Sequence, residues 1–199
     1  MSTTAFQNDL FGAAILPGLS QRDEMITPEE EAELIRRIDG IELMPFSYRG
    51  FEGKRLTASF GWKYDFNTAK FQSAESIPDF LLSLRARAAA FAGLPEDELV
   101  QALLIRYDPG AGIGWHRDRP VFQHVVGVSL GSEAVMRFRK RAGTRFLRAE
   151  APLRPRAAYH LSGEARWEWE HSIAERAVTR WSITFRSLSA QNEAPRSHD

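Results

Sequence analysis

The last patterned run of the chain is Val178-Thr-Arg-Trp-Ser-Ile-Thr-Phe-Arg186. From Arg180 onward polar and apolar residues alternate, so Arg180, Ser182, Thr184 and Arg186 share one face and Trp181, Ile183 and Phe185 the other. A period of two is that of a β-strand, whose successive side chains point to opposite faces. In an ordinary antiparallel sheet the polar face meets solvent and the apolar face the core. The alternative is a strand whose polar face lines the interior of a barrel and presents two guanidinium groups there. Such groups need anionic partners, because an unpaired buried charge is costly. Their planar forks match carboxylates bidentately.

Short segments of the same texture precede it, at 102–107, 114–117, 124–130, 135–139, 145–150, 157–162 and 168–171, each closed by glycine, proline or charge. With 178–186 these make eight strands, and their spacing predicts a mainly β fold, a double-sheet jelly roll or barrel, rather than a parallel βαβ sheet. Two helices are expected ahead of them. Thr27-Pro28-Glu29-Glu30 reads as an N-cap, a proline in the first turn and acids near the positive end of the helix. Leu34, Ile35 and Ile38 then recur at helical spacing until Gly40. Phe80, Leu81, Leu84, Ala88 and Phe91 mark a second helix over 78–92, closed by Gly93 and Pro95. Residues 54–66 between the helices read as extended. No repeat or linker divides the chain, so residues 1–188 are expected to form one domain and 189–199 a loose polar tail.

Composition narrows the function classes. With 43% apolar and 11% aromatic residues the 199-residue chain is neither disordered nor membrane-spanning, since no apolar run approaches the roughly 20 residues a bilayer requires. Zero cysteines exclude disulfides, thiolate metal sites and cysteine nucleophiles. The opening residues lack the basic start and cleavage site of a secretory signal, and a cytoplasmic monomer is expected. Net charge is zero, yet between Gly131 and Arg156 eight basic residues face only Glu133 and Glu150. That surplus is either a solvated hairpin or a surface for phosphates.

Trp115-His116-Arg117-Asp118 places a histidine and a carboxylate two residues apart, which on a strand turns both toward one ion. A third ligand must come from elsewhere. Among His124, His160, His171 and His198, the candidates are His160 and His171, each on a later strand. Two histidines and a carboxylate on one face of a metal leave half of an octahedron open, the arrangement that suits non-haem Fe(II). A His-x-Asp pair alone is weak evidence, and an isolated His116 is more simply a satisfied surface or core histidine.

The series Leu104-Ile-Arg-Tyr-Asp-Pro-Gly110, His116-Arg-Asp118, His171-Ser-Ile173 and Arg180-x-Ser-x-Thr-x-Arg186 resembles the AlkB family of 2-oxoglutarate/Fe(II) dioxygenases. The resemblance runs from about residue 103 to 188 and implies a double-stranded β-helix, a cupin-like jelly roll. It also implies Fe(II), 2-oxoglutarate and O2, with His116, Asp118 and His171 as iron ligands, which selects His171 over His160. Arg180 would take the distal carboxylate of 2-oxoglutarate with help from Tyr107. Ser182 and Thr184 would line the same pocket, and Arg186 would lie beside Asp118 or the substrate. Two departures stand out. Ile105 and Ser182 occupy positions where many family members carry asparagine, which weakens the expected hydrogen bonding to 2-oxoglutarate.

The chemistry implied is oxidation of a C–H bond coupled to decarboxylation of 2-oxoglutarate to succinate. On an N-methyl group it ends in formaldehyde and the free amine. Residues 45–70 correspond to the family's substrate lid. Within it Trp62 and Tyr64 could stack on a flipped base with Lys54, Arg55 and Lys63 near phosphate, or they could simply pack within their own hairpin. Arg139 and Arg141 are further candidates for substrate contact. Alkylated DNA or RNA is the substrate class expected first. A methylated or hydroxylatable protein side chain is the alternative, and a catalytically silent jelly-roll binding module the third reading.

Overall fold

Helix α1 begins at the predicted proline. In the computed structural model of the chain, which describes residues 15–48, 51–65, 70–73 and 75–189, it runs Pro28–Asp39. The Thr27 hydroxyl accepts from the Glu30 N–H, and the Glu30 carboxylate accepts from the Thr27 N–H. This reciprocal cap satisfies two donors that every helix start leaves orphaned. The second helical segment opens as a 3-10 turn, Asp79–Leu81, and continues as α2, Leu82–Ala92. Gly93 ends it at φ 69°, a left-handed conformation that glycine adopts without strain.

The eight strands anticipated beyond residue 99 are all present: β6 (Leu99–Tyr107), β7 (Ile113–His116), β8 (Phe122–Leu130), β9 (Ala134–Ala142), β10 (Arg145–Leu153), β11 (Ala158–Leu161), β12 (Glu170–Ile173) and β13 (Arg180–Leu188). Ahead of them lie β1 (Leu19–Arg22), β2 (Met44–Tyr48), β3 (Phe51–Phe60), β4 (Trp62–Asp65) and β5 (Lys70–Ser73). The 54–66 segment is thus two strands, β3 and β4, with Gly61 turning between them at φ 78°. A short helix α3, Gly163–Trp167, precedes β12. Neither α3 nor β1, β2 and β5 carries a pattern long enough to read; four or five residues give at most two and a half strand periods and less than two helical ones.

A seven-stranded antiparallel sheet runs β1-β11-β8-β13-β6-β3-β2, and a four-stranded one β10-β9-β12-β7. Two antiparallel sheets layered in this way form the double-stranded β-helix. Alternation sorts the large sheet's residues between two cores. Ile183, Phe185, Val126, Val128, Leu104 and Phe60 pack with Leu34 and Ile38 of α1 and Leu84 and Ala88 of α2. Val125, Tyr159 and Leu161 pack instead with Met136, Phe138, Ala149 and Ile173 of the small sheet. The helices therefore cover the outer face of the large sheet, and the small sheet covers its inner face. The polar residues of β13 consequently point between the sheets and not into solvent: Arg180, Ser182 and Thr184 are all buried. Among the described residues no helix is long and apolar enough to cross a membrane.

Candidate metal and co-substrate site

β12 lies between β9 and β7, and its register sets His171 opposite His116 on one side and Phe138 on the other. Directly opposed residues on neighbouring strands share a face, so both imidazoles point inward, with ring centroids 4.3 Å apart. Asp118 reaches the pair differently from the reading of one continuous strand, because β7 ends at His116 and the carboxylate extends from the loop beyond it. One donor atom from each of His116, Asp118 and His171 lies within 4.8 Å of the others, and His171 Nε2 is 3.5 Å from Asp118 Oδ2. The His116 Nδ1 is 2.9 Å from the Gly114 carbonyl. With its proton on that nitrogen, His116 leaves Nε2 for a metal. His171 Nδ1 has no hydrogen-bond partner, and its ring is held by packing against Phe138 at 6.1 Å.

The electrostatics suit a cation. Burial pulls the His171 imidazole down to about 3, and the neighbouring His116 adds to the fall. Burial likewise lowers His116. Burial alone would push the Asp118 carboxyl up, but Arg186, His171, His116 and Arg166 outweigh it and hold the group well below the usual carboxylate range. Near neutral pH the three residues thus present two neutral imidazoles and one carboxylate. That donor set matches divalent iron and carries no proton that the metal must first displace.

Facing them from the large sheet is a wall of arginines. Arg186 Nη2 donates to Asp118 Oδ1 at 3.0 Å, and Nη1 to Gln101 Oε1 at 3.0 Å. Gln101 in turn donates to the Trp62 carbonyl at 2.8 Å, which joins the β4 hairpin to the Asp118 side of the site. Arg180, 2% exposed, donates to Ser129 Oγ and lies over the Tyr107 ring. Its Nη1 and the Nε of Arg186 are buried without partners. Among the described residues Asp118 is the one carboxylate in contact with these groups, so they hold more cations than anions there, the imbalance a dicarboxylate would correct. Ser182 is buried beside Ile105 and Ser129 in register, and Thr184 beside Gly127.

Three residues of the site escaped the sequence reading or were assigned elsewhere. Arg55, expected near phosphate, extends from β3 over the Phe46 ring and within electrostatic reach of Tyr107, Arg186 and Asp118. Tyr159 of β11 lies within reach of Asp118, Tyr107, Arg180 and Arg186, and burial raises its phenol to about 12, so it stays a neutral donor. Arg166 of α3, 2% exposed, donates to the carbonyls of Arg119 and Phe122. No sequence spacing links these residues to the triad; only the tertiary fold brings them there.

Other candidates lie apart. Arg139 and Arg141 alternate with Phe138, so they occupy the face of the small sheet opposite the triad. There Arg139 pairs with Glu170 at 2.6 Å and stacks on Trp115 and Phe146 at 4.5 and 4.9 Å. Arg141 approaches Phe146 at 5.9 Å. Trp62 is half-buried in β4; the side chain of Tyr64 lies outside the described residues, as does His198. His160 bonds His124 at 3.0 Å on the helix side of the large sheet, away from the triad.

Comparison with known proteins now bears on this geometry. A model of the "2OG-Fe(II) oxygenase superfamily" matches residues 18–186. The chain belongs to that superfamily. Within it the relatives are AlkB-type. The mouse "alpha-ketoglutarate-dependent dioxygenase alkB homolog 4" is 27% identical over 92% of this chain and 72% of its own length. The "tRNA (carboxymethyluridine(34)-5-O)-methyltransferase ALKBH8" of Macaca fascicularis is 29% identical over 80% of this chain, which spans only 24% of that protein. The structure of OsALKBH1 superposes with a TM-score of 0.69 at 16% identity, covering 86% of this chain and 97% of that one. A Pseudomonas putida prolyl-4-hydroxylase shares the fold at a TM-score of 0.58 and 17% identity, over 86% of this chain and 93% of the other. As a 2OG-Fe(II) oxygenase the protein is a dioxygenase that uses Fe(II), 2-oxoglutarate and O2, and the named relatives it is similar to are AlkB homologues.

Proposed function

We propose that this oxygenase removes N-alkyl groups from nucleic-acid bases, with His116, Asp118 and His171 holding Fe(II). The observation that carries the site assignment is three donors within 4.8 Å of one another, facing two β13 arginines of which Arg180 Nη1 and Arg186 Nε are buried without a partner. Bound iron, with 2-oxoglutarate and dioxygen, supplies the oxidation of a substrate C–H bond. The chain's own residues do the rest. Arg180 and Tyr107, with Ser182 and Thr184 beside them, bind the distal carboxylate of 2-oxoglutarate, and the Tyr159 phenol adds a neutral donor. Arg186 holds Asp118 deprotonated and in place. Ile105 and Ser182, both buried and short of amide groups, make this pocket depend on its arginine more than an asparagine-lined one would.

Nucleic acid as the substrate class is supported by chemistry and by kinship. The outer face of the small sheet carries Arg137, Arg139 and Arg141 interleaved with Trp115 and Phe146, a composition that meets phosphates and stacks on bases. Trp62 stands in the hairpin that corresponds to the substrate lid, and one relative is named for a tRNA uridine. The methyltransferase activity in that name is not carried over, since this chain spans a quarter of that protein. Purified enzyme with Fe(II), 2-oxoglutarate and oligonucleotides bearing 1-methyladenine or 3-methylcytosine should release succinate and formaldehyde in equal amounts. Formaldehyde from methyl-lysine peptides alone would move the substrate to protein. No succinate under any condition would leave a silent binding module.

A further inference from the structure

We propose that Arg166 is a positioning residue that holds the Asp118 loop in its ligating geometry, with Arg117 completing the clamp from the other side. The problem it answers is set by β7, which ends at His116. Asp118 lies beyond that strand, where no ladder fixes the backbone, and yet its carboxylate must meet both imidazoles. Arg186 holds only the side chain, through Oδ1.

The backbone is held by Arg166. Its Nη2 donates to the carbonyls of Arg119 and Phe122, which flank a turn closed by the Phe122 N–H donating to Arg119 O at 3.0 Å. Arg117 donates in the opposite direction, from Nη1 to the Trp167 carbonyl at 3.2 Å. Each arginine thus reaches from its own segment to a carbonyl of the other. The loop carrying Asp118 and the helix leading into the strand that carries His171 are joined by three hydrogen bonds. Arg166 lies five residues before His171, so the clamp fixes the second ligand relative to the third. A buried guanidinium spent on two carbonyls, with no carboxylate of its own and its Nε unpartnered, is costly merely to fasten a loop. It is explained if the loop's exact placement governs metal binding, as supports behind metal ligands do.

The inference rests on His116, Asp118 and His171 being the ligands, and Mn(II) binding to the full chain separates the two. Mn(II) bound to the native protein and lost in H171A is the behaviour the ligand assignment demands; a native protein that binds none would overturn that assignment. R166M is then expected to weaken Mn(II) about 10- to 100-fold. R166K, which keeps one of the two bonds, should recover part of the loss, and R117A should weaken binding about threefold. L84A, a core truncation on the far side of the large sheet, is the control: it should lower Tm with Mn(II) affinity intact. If R166M binds Mn(II) like the native protein and loses only Tm, as L84A does, Arg166 is structural and the proposal fails. Should R166M not fold, R166K and R117A decide in the same way, and native affinity in both overturns the clamp.

Discussion

Arg180 gives two of its nitrogens to a single hydroxyl, Ser129 Oγ, and leaves Nη1 with nothing. A guanidinium so placed and almost wholly excluded from water is stabilised chiefly by an anion that arrives later. Each charge-assisted bond to such an anion is worth about 1.5–3 kcal/mol, and about 1.4 kcal/mol is tenfold in affinity. R180M should therefore weaken 2-oxoglutarate about 100-fold by isothermal titration of the Mn(II)-loaded protein, while leaving Mn(II) itself bound. Native 2-oxoglutarate affinity in R180M would remove the arginine from the pocket. Arg180 and Arg186 were legible because a strand's alternation announces itself within seven residues. Tyr159, Arg55 and Arg166 were not, since an isolated Tyr or Arg carries no periodic signal. Nothing in the spacing of Glu164-Ala-Arg-Trp says that residue 166 reaches the carbonyls of 119 and 122.

At the scale of the strand, Gly127 shows what one element requires of the next. It opposes Tyr159 of β11 and Thr184 of β13, and a Cβ added there would fall within the Tyr159 ring. The phenol lies against bare backbone, and so stays near Arg180 and Tyr107. G127A should expel it, lowering stability by about 1–3 kcal/mol and raising the KM for 2-oxoglutarate more than it lowers kcat. A KM that does not move would place Tyr159 outside the pocket. The next residue on β11, His160, faces the helices and bonds His124. Burial and the adjacent His124 lower its imidazole from 6.5 to about 4. As pH falls the unfolded chain takes up that proton first, so stability present above pH 6.5 drains away toward pH 4. H160N should flatten the fall of Tm across that window. It should not abolish it, because burial also lowers His124, His116 and His171. An unchanged slope would mean that His160 does not contribute. Strand order explains why the sequence could propose both His160 and His171 as ligands: alternation describes each strand's faces but not which face meets which sheet.

Across the whole molecule the site is a seam between two layers that are otherwise held together by apolar packing. The small sheet contributes His116 and His171, and the large sheet contributes Arg180 and Arg186. A metal alone loads one side of the seam, whereas a metal chelated by a dicarboxylate ties both. N-oxalylglycine, an unreactive analogue of 2-oxoglutarate, makes this measurable as thermal stability. A ligand at about 100 times its Kd adds about 2.7 kcal/mol, and in a chain of this size each kcal/mol raises Tm by about 2–4 °C. Mn(II) should thus raise Tm by about 5–10 °C, and N-oxalylglycine by a similar further step only when Mn(II) is present. In R180M the Mn(II) step should remain and the N-oxalylglycine step shrink; in H171A both should vanish. An N-oxalylglycine shift of full size without metal, or one that survives in R180M, would show that the analogue binds elsewhere and that the two sheets are not bridged in this way.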